Sequence, residues 1–137
     1  MVHLIVGNKG KGKTKQLLDK VNTSVKTCDG NIVYIDKSSK NMFELNNRIR
    51  LIDASGYGIK NSDEFIGFIL GIISQDHDLQ EMYLDSFLKV ACLEGQDITP
   101  AVKELASIGK SFNVEFILSV SMDKVPEELN EYVMLAL

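Results

Sequence analysis

The feature that most constrains this chain is Gly7-Asn8-Lys9-Gly10-Lys11-Gly12-Lys13-Thr14, set between a short apolar run and an amphipathic stretch. It satisfies G-x-x-x-x-G-K-[ST], the phosphate-cradling pattern called Walker A. Val2 to Val6 has the length of a strand and leads straight into Gly7. After Thr14, Gln16 to Val21 opens a helix, with Leu17, Leu18 and Val21 on one face. Strand, glycine-rich turn and helix is the geometry this chemistry needs. Glycines let the backbone curl so that successive N–H groups face phosphate oxygens, and the helix N-terminus adds partial positive charge. The expectation is that Gly7, Asn8, Lys9, Gly10, Lys11, Gly12, Lys13 and Thr14 together cradle a polyphosphate. Lys13 then reaches the β- and γ-phosphates and the Thr14 hydroxyl ligates Mg²⁺. The bland alternative is an ordinary glycine-rich βα turn carrying a surface lysine.

Length bounds the answer: 137 residues suit a single domain, 1–137, with a real core. A net charge of −4, with no basic stripe outside the loop lysines, argues against a surface that coats nucleic acid. Cys28 and Cys92 form no C-x-x-C and have no nearby histidine for a zinc site, which fits a reducing compartment. The N-terminal apolar run is too short for a signal peptide. Phe65 to Ile73, the longest apolar stretch, falls well short of the roughly 20 residues that cross a bilayer. The expected location is cytoplasmic, without a membrane span.

The rest of the chain alternates strand and helix signals. Asn31 to Asp36 reads as the second strand, entered through the turn signal Asp29-Gly30. Met42, Phe43 and Leu45 suggest one helical turn in the polar stretch that follows. Arg48 to Asp53 alternates polar and apolar, as an edge strand with one wet face does. Asn61 is a candidate N-cap, with Glu64 at capping-box spacing, for a helix through Ile73 whose many apolar groups suggest packing on both sides. Met82 to Asp85 reads as a strand, followed by a short helical segment that Gly95 ends. Thr99-Pro100 caps and starts a helix expected to run to about Ile108-Gly109. Val114 to Val120 reads as a buried strand, Asp123 to Asn130 as a short helix with Pro126 in its first turn, and Tyr132 to Leu137 as a last strand. Such alternation indicates βαβ units. The fold class is α/β: a mostly parallel sheet of about five strands flanked by helices, plus an extra edge strand.

A phosphate loop needs a carboxylate near Mg²⁺ at the C-terminal end of a neighbouring strand. Asp36, Asp53 and Asp85 compete for that place. Here the loop and the strand-end acids resemble those of P-loop NTPases, in the branch of RecA-type and AAA-type ATPases. Within that branch the chain is similar to small bacterial ATP-binding proteins labelled as related to twitching-motility ATPases, although it has no room for the N-terminal domain of true motility ATPases. The resemblance spans nearly the whole chain, with Walker A its one specific motif. It implies that Asp85 holds Mg²⁺ with Thr14 as the Walker B acid, and that Ser119 or Ser121 takes the polar sensor position. With Lys13, Asp85 and Ser119 are the implied catalytic set.

The chain also departs from that pattern. The glutamate that usually follows the Walker B aspartate is Ser86 here, and the recombinase-like alternative position is Ser38. The nearest other acids are Glu81 and Glu94, and the only arginines are Arg48 and Arg50. His3 and His77 take no role. Three functions stay open on these residues. One is a Mg²⁺-dependent ATP-binding protein with slow or partner-stimulated hydrolysis, acting as a switch or as a subunit of a homo-oligomer or larger assembly. Another is a small-molecule or nucleoside kinase; the loop and Gln16-Leu17-Leu18 resemble the start of thymidine kinases, which carry a zinc-binding cysteine cluster missing here. The last is a nucleotide-stabilised scaffold without turnover.

Overall fold

The computed structural model describes residues 1–137. Strand β1 (Val2–Gly7) enters the glycine-rich loop, and α1 (Lys13–Ser24) leaves it. Then come β2 (Asn31–Asp36), β3 (Ile49–Asp53), α2 (Ser62–Ser74), β4 (Leu79–Leu84) and the short α3 (Phe87–Val90). Helix α4 (Thr99–Phe112), β5 (Glu115–Ser121) and β6 (Val133–Ala136) complete the chain. The six strands form one sheet in the order β3-β2-β4-β5-β1-β6, and every pairing is parallel. The α/β class is therefore as expected, with six strands in all. The Arg48–Asp53 stretch does lie at an edge, where β3 pairs with β2 alone.

Strand alternation sends side chains to two unequal cores. Val33, Ile35, Met82, Leu84, Phe116 and Leu118 join the larger core, which includes buried residues of α2, α3 and α4. Ile5, Ile32, Tyr34, Tyr83 and Ile117 join Leu17, Leu18 and Val21 of α1 in the smaller one. A single helix thus covers one face of the sheet, and its N-terminus emerges at the strands' C-terminal ends. That is the end where ligands bind in open parallel sheets.

Several local expectations need correction. Helix α2 buries Phe65, Ile66, Ile69 and Ile73, while Leu70 and the glycines 67 and 71 face outward, so it is packed on one side rather than two. The Asn61 side chain does cap it, accepting from Glu64 N at 2.9 Å, but Glu64 reaches back to Lys60 N rather than to Asn61. Thr99 is the first helical residue of α4 rather than its cap; Asp97 Oδ1 accepts from Thr99 N at 3.0 Å. That helix continues past Gly109 to Phe112 and ends at Asn113, in the left-handed conformation (φ 57°). Pro126 precedes a 3₁₀ turn over Glu127–Tyr132 instead of sitting within a helix. No helix is long and apolar enough to cross a membrane.

Candidate functional site

The loop after β1 leaves its donors unpaired. Gly10 and Gly12 both have φ 87°, a region that only glycine enters without strain. These two turns swing the backbone so that the N–H groups of Gly10, Gly12, Lys13, Thr14 and Lys15 find no partner within the protein. Asn8 closes the loop from behind, its carbonyl accepting from Lys11 N at 3.3 Å and from Lys13 Nζ at 3.1 Å. Lys13 is buried, and that burial lowers its pKa, partly opposed by the charge of Asp85. Its ammonium is thus a desolvated cation at the N-terminus of α1, an arrangement suited to anionic oxygens.

A cleft of about 690 Å³ opens above this loop, across the ends of β1, β5, β4 and β2. Asp85, which follows β4, is 1% exposed and is held on four sides. Its Oδ1 accepts from Thr14 Oγ1 at 3.3 Å, Ser119 Oγ at 2.6 Å and Ser86 N at 2.9 Å. Its Oδ2 accepts from the Tyr34 hydroxyl at 2.7 Å. Burial, and then the charge of Asp85, drive the Tyr34 pKa far upward, so that hydroxyl stays a neutral donor. The carboxylate therefore has one fixed orientation, facing the first turn of α1.

The structure brings most sequence candidates together. Lys9, Gly10, Gly12, Lys13, Thr14, Asp85, Ser119 and Ser121 all line the cleft. Gly7 lies below it, where an added Cβ would meet the Leu137 Cβ at 3.1 Å; its role is close packing against the C-terminus. Asn8 contributes its carbonyl, and Lys11 is exposed on the outside of the loop. The two serines differ in role. Ser119 Oγ spends its proton on Asp85 and accepts from Ser86 N at 2.8 Å, whereas Ser121 stands exposed at the mouth.

Asp36 also lines the cleft, at the end of β2, but the Thr14 hydroxyl bonds Asp85 and not Asp36. Lys37 N donates to its Oδ1 at 2.7 Å and Asn41 Nδ2 to its Oδ2 at 3.3 Å. Burial, and then Asp85, raise its pKa above the ordinary 3.8. A carboxyl with a raised native pKa binds more protons folded than unfolded, so stability falls as pH rises from 3.8 through the raised value. In metal-free protein, Asp36→Asn should abolish that fall and be more stable than wild type at pH 7, with the gap closing on acidification. Denaturant midpoints measured from pH 4 to pH 7 check this; a gap that does not change with pH refutes it.

Two groups that the sequence could not tell apart are now separated. Glu94 lines the cleft, whereas Glu81 lies at the other end of β4, tied to Ser24 Oγ at 2.7 Å and to the Tyr83 hydroxyl at 2.7 Å. Sequence reasoning also missed Tyr34, and it missed Lys37, Lys40 and Lys89, which join Lys9 and Lys13 around the cleft. Leu88 is the one hydrophobic residue of the lining, so the walls offer charge and hydrogen bonds rather than an apolar slot for an aromatic base.

For a divalent cation, the donor set here is a hydroxyl and a carboxylate. No group of three or more His, Cys, Asp or Glu side chains converges anywhere in the chain. That fits Mg²⁺, which is typically held by one or two carboxylates together with substrate phosphates rather than by an all-protein cage. The chain matches no family model, and no curated protein matches it either.

Proposed function

We propose that this is a nucleotide-binding protein of the P-loop NTPase class, taking a nucleoside triphosphate with Mg²⁺ in the cleft above the Gly7–Thr14 loop. ATP is the nucleotide that the resemblance implies. The observation that carries this reading is the convergence of unpaired loop N–H groups, buried Lys13 and the Thr14–Asp85 pair at one end of a parallel sheet. Strand order supports it as well. Strand β5, ending in Ser119 and Ser121, lies between β1 and the Asp85 strand, so the loop, the polar strand end and the acid meet at one cleft.

In this reading the loop amides and Lys13 bind the phosphates, and Thr14 with Asp85 holds the metal, directly or through its water. Mg²⁺ would supply charge neutralisation to the bound phosphates. Tyr34, Ser119 and Ser86 N fix the direction of Asp85. Hydrolysis, where it occurs, is slow or stimulated by a second copy or a protein partner. The kinase reading retains one favourable observation, the raised pKa of Asp36 beside the same cleft.

Asp85→Asn should raise the Mg²⁺ concentration needed for half-maximal triphosphate binding by about tenfold, and Asp36→Asn by much less. The tenfold figure corresponds to losing about 1.4 kcal/mol of one charge-assisted contact. Calorimetric titration at several Mg²⁺ concentrations decides it. If Asp36→Asn has the larger effect, the metal belongs at the β2 end and the kinase reading takes precedence.

A further inference from the structure

Once the loop, Lys13 and Asp85 are assigned to a triphosphate, the cleft still carries positive charge that no ion pair in the fold takes up. Lys37 and Lys40 follow β2, and Lys89 lies on α3 after β4. None of their ammonium groups forms an ion pair or hydrogen bond within the protein, while three ion pairs form elsewhere on the surface. Lys37 acts on Asp36 through its charge, but no nearby acid forms an ion pair with any of the three. Both oxygens of Asp36 are engaged by Lys37 N and Asn41, Asp85 is enclosed by its four donors, and Glu94 pairs with no lysine.

Position separates this wall from the phosphate loop. Strand β2 lies three places from β1 in the sheet, through β5 and β4. At about 4.8 Å per strand, that puts the two loops about 14 Å apart. A polyphosphate seated on the first turn of α1 is centred at the β1 end. Lys37 and Lys40, after β2, stand on the side of the metal pair away from β1, and Lys89, on α3 after β4, lines the same cleft four residues beyond Asp85. Leu88 is the one hydrophobic residue of the lining, so the groups that distinguish this wall are its charges.

We infer that the part of the cleft walled by the segments after β2 and β4 is a second anion subsite, in which Lys37, Lys40 and Lys89 hold the phosphate of a small phosphomonoester alongside the bound triphosphate. This rests on the nucleotide reading for what occupies the other half of the cleft. Three mobile ammonium groups around one dianion give charge-assisted contacts without demanding a fixed fork geometry, which suits a small phosphate better than an extended polymer.

The test uses the full chain saturated with Mg²⁺ and a non-hydrolysable ATP analogue, titrated calorimetrically with ribose 5-phosphate and, as a control, with ribose. The expected result is saturable binding of ribose 5-phosphate, none of ribose, and a loss of more than about tenfold in K37A/K40A/K89A. The variant should keep its affinity for the ATP analogue within about threefold, and its unchanged thermal midpoint would show that it is folded. Equal weakening of both ligands would overturn the inference, because the lysines would then serve the nucleotide's own tail. So would failure of ribose 5-phosphate to bind the loaded wild type. An unphosphorylated oligonucleotide competing as well as one with a 5′-phosphate would also overturn it, since the wall would then read internal phosphodiesters. If the wild type binds no triphosphate at all, it is the nucleotide reading that fails. The subsite is then decided by ribose 5-phosphate binding to the unloaded chain, with and without the three lysines.

Discussion

Lys13→Ala is expected to weaken Mg²⁺–triphosphate binding by about 10²-fold. Its ammonium is the one cation buried at the N-terminus of α1, and burial has already lowered its pKa by stripping water from it. Nothing nearby can replace it, because the remaining cleft lysines stand on exposed or half-buried positions around the rim. A hydrogen bond to a charged group is worth about 1.5–3 kcal/mol, and a triphosphate oxygen held by a desolvated cation belongs toward the upper end. The fold should survive. The lysine makes one internal contact, to the Asn8 carbonyl at 3.1 Å, and methionine at this position would retain most of the buried aliphatic stem. Calorimetry on Lys13→Ala and Lys13→Met, with circular dichroism to confirm folding, measures the effect. Equal affinity in wild type and a folded variant would sink the nucleotide reading.

How far the sequence discloses this arrangement depends on which interactions are local. Strand β2 runs from Asn31 to Asp36, the bounds that its apolar run and the Asp29-Gly30 turn indicate, because both signals act within a few residues. Glycine misleads at position 109. It reads as a stop, yet it lies inside α4, where an added Cβ would come within 2.7 Å of the Val114 carbonyl. Close packing of helix end against strand start requires it, and no local pattern carries that information.

The site shows the same division. Thr14 and Lys13 are legible because the loop motif is contiguous. Tyr34 is not, since it is an unremarkable member of an apolar run. Its hydroxyl meets Asp85 because β2 and β4 are neighbours in the sheet, although α2 and β3 intervene in the chain. Glu81 and Glu94 flank Asp85 in sequence, one before it and one after, and strand polarity decides between them. Glu81 lies toward the entry end of β4, facing Ser24 at the far end of α1, and Glu94 falls beyond the exit end. Charge is harder still to read along the chain. Lys9, Lys37, Lys40 and Lys89 form no cluster in sequence, yet parallel strands bring all four to one cleft in a protein of net charge −4.

The second large effect concerns rate. The isolated chain should hydrolyse ATP at below roughly one turnover per minute, against about 10 per second for a typical enzyme. Two deficits argue for this. The residue after Asp85 is Ser86, which adopts a left-handed conformation at φ 53° and commits its N–H to Asp85 and Ser119. Such a backbone costs about 1–3 kcal/mol, and here it serves to orient Asp85, leaving no carboxylate at that position to polarise water. The other deficit is the missing arginine. An arginine supplied to the transition state is worth about 10³–10⁵ in rate. Arg48 is occupied with the Val25 carbonyl at 3.1 Å, and Arg50 is exposed on edge strand β3, away from the cleft. Only another copy or another protein can then bring an arginine to a bound triphosphate. Phosphate release measured across protein concentration separates the cases. Specific activity that rises with concentration and collapses in Arg50→Ala supports assembly through β3. Arg48→Ala should instead act mainly on stability, by releasing the end of α1. Fast turnover independent of concentration would overturn the prediction and point to a carboxylate already within the cleft. Glu94 would be the first to replace, because Glu81 lies at the wrong end of its strand to reach the phosphate.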